Sequence, residues 1–231
     1  DSREFLWVLY DNDFGFLDQQ SERFYFLSDR KIPPMTCLTE DAQGYLWGIS
    51  TGRVLYRLSF PAGTRQPSDC LSGLQTDSFP LPPEAEAGRL QCLTALDTAL
   101  WIGADNGIYA LPYTGKNCHL VTGMPAVPVQ GIWLDRTEKA VWLFSGSRIL
   151  RCAAGRQNTF QLDAAPRSTV KQGISNGRVT CFLGGRYIFE WRDGTLHRLP
   201  WEIPEGIISG CMDRRGLLWV GTDAQGARKI P

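Results

Sequence analysis

Apolar positions in this chain come in short runs broken by polar turns. "YLWGIS" (residues 45–50) is an apolar stretch of strand length, "TGR" is a tight turn, and "VLYRLSF" (54–60) alternates. Before them, "IPPMTCLTE" alternates imperfectly and ends at the polar turn "EDAQG". A further strand is expected to close the unit, giving four strands joined by short hairpins. No 3.6-residue apolar period is sustained anywhere, so no helix longer than about two turns is expected. A single four-stranded meander with two apolar faces cannot bury both alone. It needs a similar sheet on each side, and radial stacking supplies one. The pattern therefore predicts an all-β fold, a β-propeller of four-stranded antiparallel blades.

The same phrase recurs along the whole chain. Aligned on one aromatic anchor, it reads "DSREFLWVLYDNDFGFL" at Trp7, "DAQGYLWGISTGRVLYRL" at Trp47 and "ALDTALWIGADNGIYAL" at Trp101. It continues as "DRTEKAVWLFSGSRILR" at Trp142, "SNGRVTCFLGGRYIFEW" at Phe182 and "DRRGLLWVGTDAQGARKI" at Trp219. Successive anchors are 40, 54, 41, 40 and 37 residues apart. A period near 40 with strand-like content marks a repeat array. It disfavours a β-sandwich, and it is far longer than a β-helix repeat. Where the phrase reads Asp-x-x-Gly, at Asp41–Gly44 and Asp213–Gly216, the Asp can bond nearby backbone amides and the Gly supplies a positive φ, closing the hairpin before the anchor. Each tryptophan suits packing between neighbouring blades, so Trp47, Trp101, Trp142 and Trp219 are expected to be mostly buried.

Strand counting gives four complete blades flanked by a three-stranded start and a three-stranded end, about five to six blades over residues 1–231. Asp1 aligns with Asp41 and Asp213, so the chain reads as a piece of a larger propeller, with seven blades as the candidate number. The 54-residue interval contains "SFPAGTRQPSDCLSGLQTDSFPLPPEAEAG", with five prolines between residues 61 and 83. This Pro-rich insertion, about 59–90, is expected to be a loop excursion, not an extra blade.

Composition narrows the chemistry. The 24 basic and 24 acidic residues balance, which gives no reason to expect nucleic acid or an anionic membrane surface as partner. No run of 18 apolar residues exists to span a bilayer. Of seven cysteines, Cys37, Cys92 and Cys211 precede their anchors in the same predicted strand and read as small core hydrophobes. A disulfide among Cys70, Cys118 and Cys152 stays open. The two histidines, His119 and His197, lie in different repeats and in predicted outer strands, so neither a His-rich metal site nor a Ser-His-Asp relay is supported. Asp105 and Asp223, at equivalent positions after "WIGA" and "WVGT", form the one carboxylate pair worth testing as a glycosidase or lyase. The expectation is no catalytic residue, no metal and no cofactor.

The phrases "EDAQGYLWGISTGRVLYR", "LWIGADNGIYAL" and "MDRRGLLWVGTDAQGARK" resemble the two-component regulator propeller repeat, "ED-x-x-G-x-LW-(I/V)-GT-x-x-G-(L/I)-x-R". The resemblance covers essentially the whole chain, although the Phe182 repeat keeps only the strand pattern. It implies the extracytoplasmic, periplasmic sensor of a hybrid two-component system, ahead of a transmembrane helix, a histidine kinase and often a response regulator. Many such systems respond to glycan fragments, so the resemblance implies an oligosaccharide ligand. No kinase portion lies in this sequence, and no phosphotransfer chemistry carries over.

In propellers the loops between second and third strands share one face with the loops leading to the next blade. That places Arg53, Asp105, Arg148, Arg186 and Asp223 on one loop type, with "PWEIPEG" on the other. Trp201, outside the repeat pattern and beside Glu202, could stack on the apolar face of a sugar or wedge between blades. These six residues are the candidate ligand site. A different reading makes the propeller a dimerisation surface within a homodimeric receptor.

Overall fold

In the computed structural model the anchors fall in consecutive antiparallel sheets. It describes all residues except 2, 4, 11–12, 19–20, 28–31, 62, 64–65, 125, 154–155, 163–168, 214, 223–224 and 231. The chain divides into two compact units. One comprises Asp1–Ala104 and Ile108–Met124; the other comprises Asp105–Gly107 and Pro125–Pro231.

The first unit holds three sheets. The first has three strands, β1 (Phe5–Tyr10), β2 (Asp13–Asp18) and β3 (Arg23–Phe26). The second comprises β4 (Met35–Glu40), β5 (Leu46–Ser50), β6 (Leu55–Ser59) and β7 (Gln75–Phe79), and the third β8 (Leu90–Ala95), β9 (Ala99–Ala104), β10 (Gly107–Pro112) and β11 (His119–Leu120). The second unit repeats this plan. Its four-stranded sheets are β12 (Gly131–Asp135), β13 (Ala140–Ser145), β14 (Arg148–Ala153) and β15 (Arg156–Gln161), then β16 (Val170–Ser175), β17 (Thr180–Gly184), β18 (Tyr187–Arg192) and β19 (Thr195–Glu202). A three-stranded sheet follows, β20 (Ile207–Met212), β21 (Leu218–Thr222) and β22 (Gly226–Ile230). Four four-stranded meanders between a three-stranded start and end is the predicted arrangement.

Five anchors sit on the second strand of their sheets, and Trp7 sits on β1, the first strand of the three-stranded start. Trp47 pairs with Thr39 and Arg57, Trp142 with Trp133 and Arg151, and Phe182 with Gly173 and Phe189. The core lies between consecutive sheets of a unit. Trp47 and Ile49 pack with Leu93, Leu100, Ile102 and Tyr109 of the next sheet, and Trp142 packs with Phe182 and Phe189 in the same way. This sandwiching is what two-faced apolar sheets require. The inner strands approach closely: a Cβ added at Gly173 would lie 2.5 Å from the Trp133 indole. No side chain larger than hydrogen fits there.

Two expectations are corrected. Trp47 and Trp142 are fully buried, but Trp101 is only half-buried and Trp219 is 38% exposed. Each of the latter stands in the last sheet of its unit, so no later sheet of that unit covers its indole. The Pro-rich insertion is also more than a loop. It contains α1 (Pro67–Ser72), then β7, then α2 (Pro83–Ala87), so the fourth strand of the second blade lies inside it. Proline opens both helices, where its missing N–H costs nothing. Cys70 of α1 packs against Phe5 and Phe16, and Ala85 of α2 joins the Trp47 cluster. Among the described residues no helix is long and apolar enough to cross a membrane.

Candidate ligand-binding surfaces

The repeated Asp is the hub of a clamp. Asp41 Oδ1 accepts the amide N–H groups of Gln43 (2.9 Å) and Tyr45 (3.0 Å), while Oδ2 accepts the Trp47 indole N–H at 2.7 Å. Asp1 binds Arg3 and Phe5 amides and the Trp7 indole in the same way, and Asp213 binds those of Arg215, Leu217 and Trp219. The amide bonds to Asp were expected. The indole bond was not, although the constant six-residue Asp-to-Trp spacing in these three repeats was its signal. The bonds from Leu217 and Trp219 hold the Asp213 carboxyl below its ordinary pKa, because they favour the charged form.

The departures follow the same logic. In the fourth blade one extra residue separates Asp135 from Trp142. Asp135 Oδ1 still caps the Thr137 and Glu138 amides, but Asp135 Oδ2 and Trp142 Nε1 are both buried without a hydrogen-bond partner. In the fifth blade the pair is replaced together: Asn176 Oδ1 caps the Arg178 and Val179 amides, and Phe182, with no N–H to satisfy, stands six residues on. These aspartates therefore build the blades.

The predicted loop face has a structural basis within each unit. The turn between second and third strands is bonded to the segments that join neighbouring blades. Thr51 N–H donates to Pro34 O (3.0 Å), Leu162 N–H to Ser147 O (2.9 Å), Ile203 N–H to Arg186 O (2.9 Å) and Ile207 N–H to Gly185 O (2.7 Å). Arg148 and Arg186, both exposed, lie at this end of successive blades of the second unit. Arg53, exposed and in the left-handed region at φ 62°, occupies the corresponding turn of the second blade, and Asp105 that between β9 and β10. Asp223 lies outside the described residues. Trp201 needs correction: it lies within β19, not in a loop. That strand runs for eight residues to Glu202 and carries the half-buried indole against the cluster of Ile174, Leu183, Ile188, Ile203 and Ile207. Trp201 fills space between blades.

A second surface was not foreseen. A cleft of about 550 Å³ opens in the first unit, lined by Arg57, Asp77 and Phe79 on one side and by Tyr113, Thr114, Lys116 and Asn117 on the other. Only Arg57, opposite Trp47 in the register, belongs to the repeat. Burial, with the Asp41 and Asp97 charges adding to it, pushes the Tyr113 phenol up to about 12.

Chemistry elsewhere is sparse. His119 and His197 lie on the fourth strands β11 and β19, as expected, and His197 shares a 2.8 Å hydrogen bond with Thr195. No group of three or more His, Cys, Asp or Glu side chains able to hold a metal occurs among the described residues. None of the seven cysteines is joined in a disulfide. Burial pushes the thiols of Cys37 and Cys92 up to about 11 and about 12, so neither is a thiolate nucleophile at neutral pH. Cys211 departs from the expectation: it sits opposite Trp219, two register positions from its supposed equivalents, and is exposed.

No family model and no curated protein matches the chain. Solved structures do. The extracellular domain of BT4673 from B. thetaiotaomicron, described in one crystal structure as a one component system, superimposes with a TM-score of 0.72 at 12% identity over 98% of this chain. A second structure of that domain, described as a hybrid two component system, gives 0.68 at 14% over the whole chain. This chain is a β-propeller. Virginiamycin B lyase from Staphylococcus aureus shares the propeller fold, with a TM-score of 0.69 at 17% identity over 97% of this chain and 76% of its own. The chain spans about a third of the BT4673 domain, 31% and 32% in the two structures. At these identities the likeness is one of fold.

Proposed function

We propose that this propeller is the non-catalytic, ligand-reading part of an extracytoplasmic signalling receptor of the two-component regulator propeller type. The observation that carries the reading is the repeat itself. The Asp-x-x-Gly-x-Leu-Trp phrase resembles that of such sensors, and here it is a structural clamp on a fold shared with an extracellular domain described as part of a hybrid two component system. The parent protein is then a periplasmic sensor joined to a histidine kinase, and its ligand an oligosaccharide fragment. The reading places the ligand on the loop end of the second unit bearing Arg148 and Arg186, where guanidinium groups from successive blades offer hydrogen bonds to sugar hydroxyls; Trp201 contributes by bracing that end.

Isothermal titration of the Arg148→Ala/Arg186→Ala variant against an oligosaccharide that binds the wild-type protein tests the site. Binding should vanish while the melting temperature stays nearly constant, as exposed substitutions leave it. Unaltered affinity refutes the loop-end site. A second reading, a dimerisation propeller, is favoured by one observation. Leu6 and Phe26, 52% and 51% exposed, share a face of the first sheet with Phe24. Sedimentation of the wild type against Leu6→Asp separates the two readings.

A further inference from the structure

The cleft in the first unit sits at a place that the same scaffold closes elsewhere. In the fourth and fifth blades, Arg151 lies opposite Trp142 in the register, and its guanidinium carbon is 5.7 Å from the ring centroids of both Trp142 and Trp191. Trp191, from the end of the third strand of the next blade, stacks edge-on to Trp142 (4.9 Å) and Phe160 (5.2 Å) and donates to Glu138 at 3.1 Å. Its indole fills the slot. In the second and third blades the slot keeps the same floor. Arg57 lies opposite Trp47, bonds Asp77 at 2.7 Å, and rests over Tyr45, Trp47 and Phe79 at 4.8, 5.7 and 5.5 Å. Here the next blade supplies Tyr113, 6.2 Å from Trp47, and then turns away through Thr114–Asn117. The slot stays open at about 550 Å³, within the roughly 300–1,000 Å³ of small-ligand sites.

The lining sets the ligand class. Phe79 and Tyr113 offer apolar ring surface, and Ser78, Thr114 and Asn117 offer hydroxyls and an amide. Arg57 and Lys116 outnumber Asp77 by one charge. We propose that this inter-blade cleft binds a small sugar acid, its C–H face on the aromatic wall and its carboxylate at Lys116, stabilised as a charge-assisted pair. The site is separate from the loop end and does not depend on it.

Calorimetric titration of the whole chain with digalacturonic acid tests this, with lactose and citrate as neutral-sugar and non-sugar acid controls. The wild type should bind digalacturonate and neither control. Lys116→Glu, an exposed change, should weaken binding about tenfold or more, the worth of a charged hydrogen bond. Thr114→Trp, supplying the indole that closes the other slot, should abolish it, while Arg148→Ala/Arg186→Ala should leave it intact. Absence of binding at about 10 mM, equal binding of lactose or citrate, or unchanged affinity in both cleft variants overturns the proposal. Loss only in the arginine variant would overturn it too, while leaving the loop-end site standing.

Discussion

Removing the Asp41 carboxylate should show what the repeated clamp contributes. Asp41, 6% exposed, accepts three hydrogen bonds, two from turn amides and one from the indole of Trp47, which is 2% exposed. In Asp41→Ala the amides of the surface turn can turn to water, but the indole N–H stays buried and unpaired. Hydrogen bonds to charged groups contribute about 1.5–3 kcal/mol net, and a stranded donor costs about 1–3 kcal/mol. The expected loss is about 3–4 kcal/mol. Trp47→Phe strands the carboxylate oxygen instead and should cost about 2–3 kcal/mol. The double variant Asp41→Asn/Trp47→Phe recreates the Asn176 and Phe182 pair of the fifth blade, with the turn still capped and no indole donor left over. It should be more stable than the sum of Asp41→Asn and Trp47→Phe by about 1.5 kcal/mol. Guanidinium unfolding followed by circular dichroism measures the wild type and all four variants. A coupling below about 0.5 kcal/mol, the range of independent sites, would mean that the bond does not hold the blade, and the clamp account would fail.

Further outcomes follow from the same geometry. Trp142→Phe should cost no more than about 1 kcal/mol, because its indole N–H has no partner to lose; denaturant unfolding that shows a loss equal to that of Trp47→Phe would contradict this. Trp142→Ala should cost about 3–5 kcal/mol as a large-to-small core change, and Trp219→Ala markedly less, because that indole is 38% exposed; equal losses would refute the burial argument. The Asp213 carboxyl is held below its ordinary value by its hydrogen bonds, so its stabilisation is present above the unfolded carboxylate pKa and is lost as pH falls through the depressed folded value. The Trp219 indole N–H resonance should therefore titrate with a midpoint below 3.8, and a midpoint at or above it contradicts the bonding. At pH 8, alkylation should reach the exposed Cys211 before Cys37 and Cys92, whose thiols burial pushes up, as peptide mass spectrometry would read.

Much of the fold was legible because each blade must bury two faces, and the sequence repeats its solution. The anchors at Trp47, Trp101, Trp142, Phe182 and Trp219 mark a second strand every time, Trp7 opens the three-stranded start, and the three-stranded ends follow from counting around them. What the repeat could not give is where a strand stops. Trp201 looked like a loop residue because Pro200 precedes it, yet β19 continues through both to Glu202, with a register shift on its partner strand. The insertion concealed β7 because its prolines mark helix starts as well as loops. Burial of Trp219 was overestimated because an indole is covered by the next sheet, not by its own. The cleft was invisible for a related reason: Asp77 stands far in sequence from Lys116 and Asn117, none of them carries a periodic signal, and they meet only once the second and third blades pack.

The central claim, a propeller that reads a ligand without transforming it, is tested most directly by thermal melting of the purified chain against a panel of oligosaccharide fragments, with each fragment's mass checked afterwards. Binding to the native state adds RT ln(1 + [L]/Kd), about 2.7 kcal/mol at a hundredfold excess over Kd, and for a chain of this size each kcal/mol moves the melting point by about 2–4 °C. The account predicts that at least one fragment raises the melting temperature by several degrees and is recovered intact. A flat response across the panel, or a fragment recovered cleaved, would contradict it.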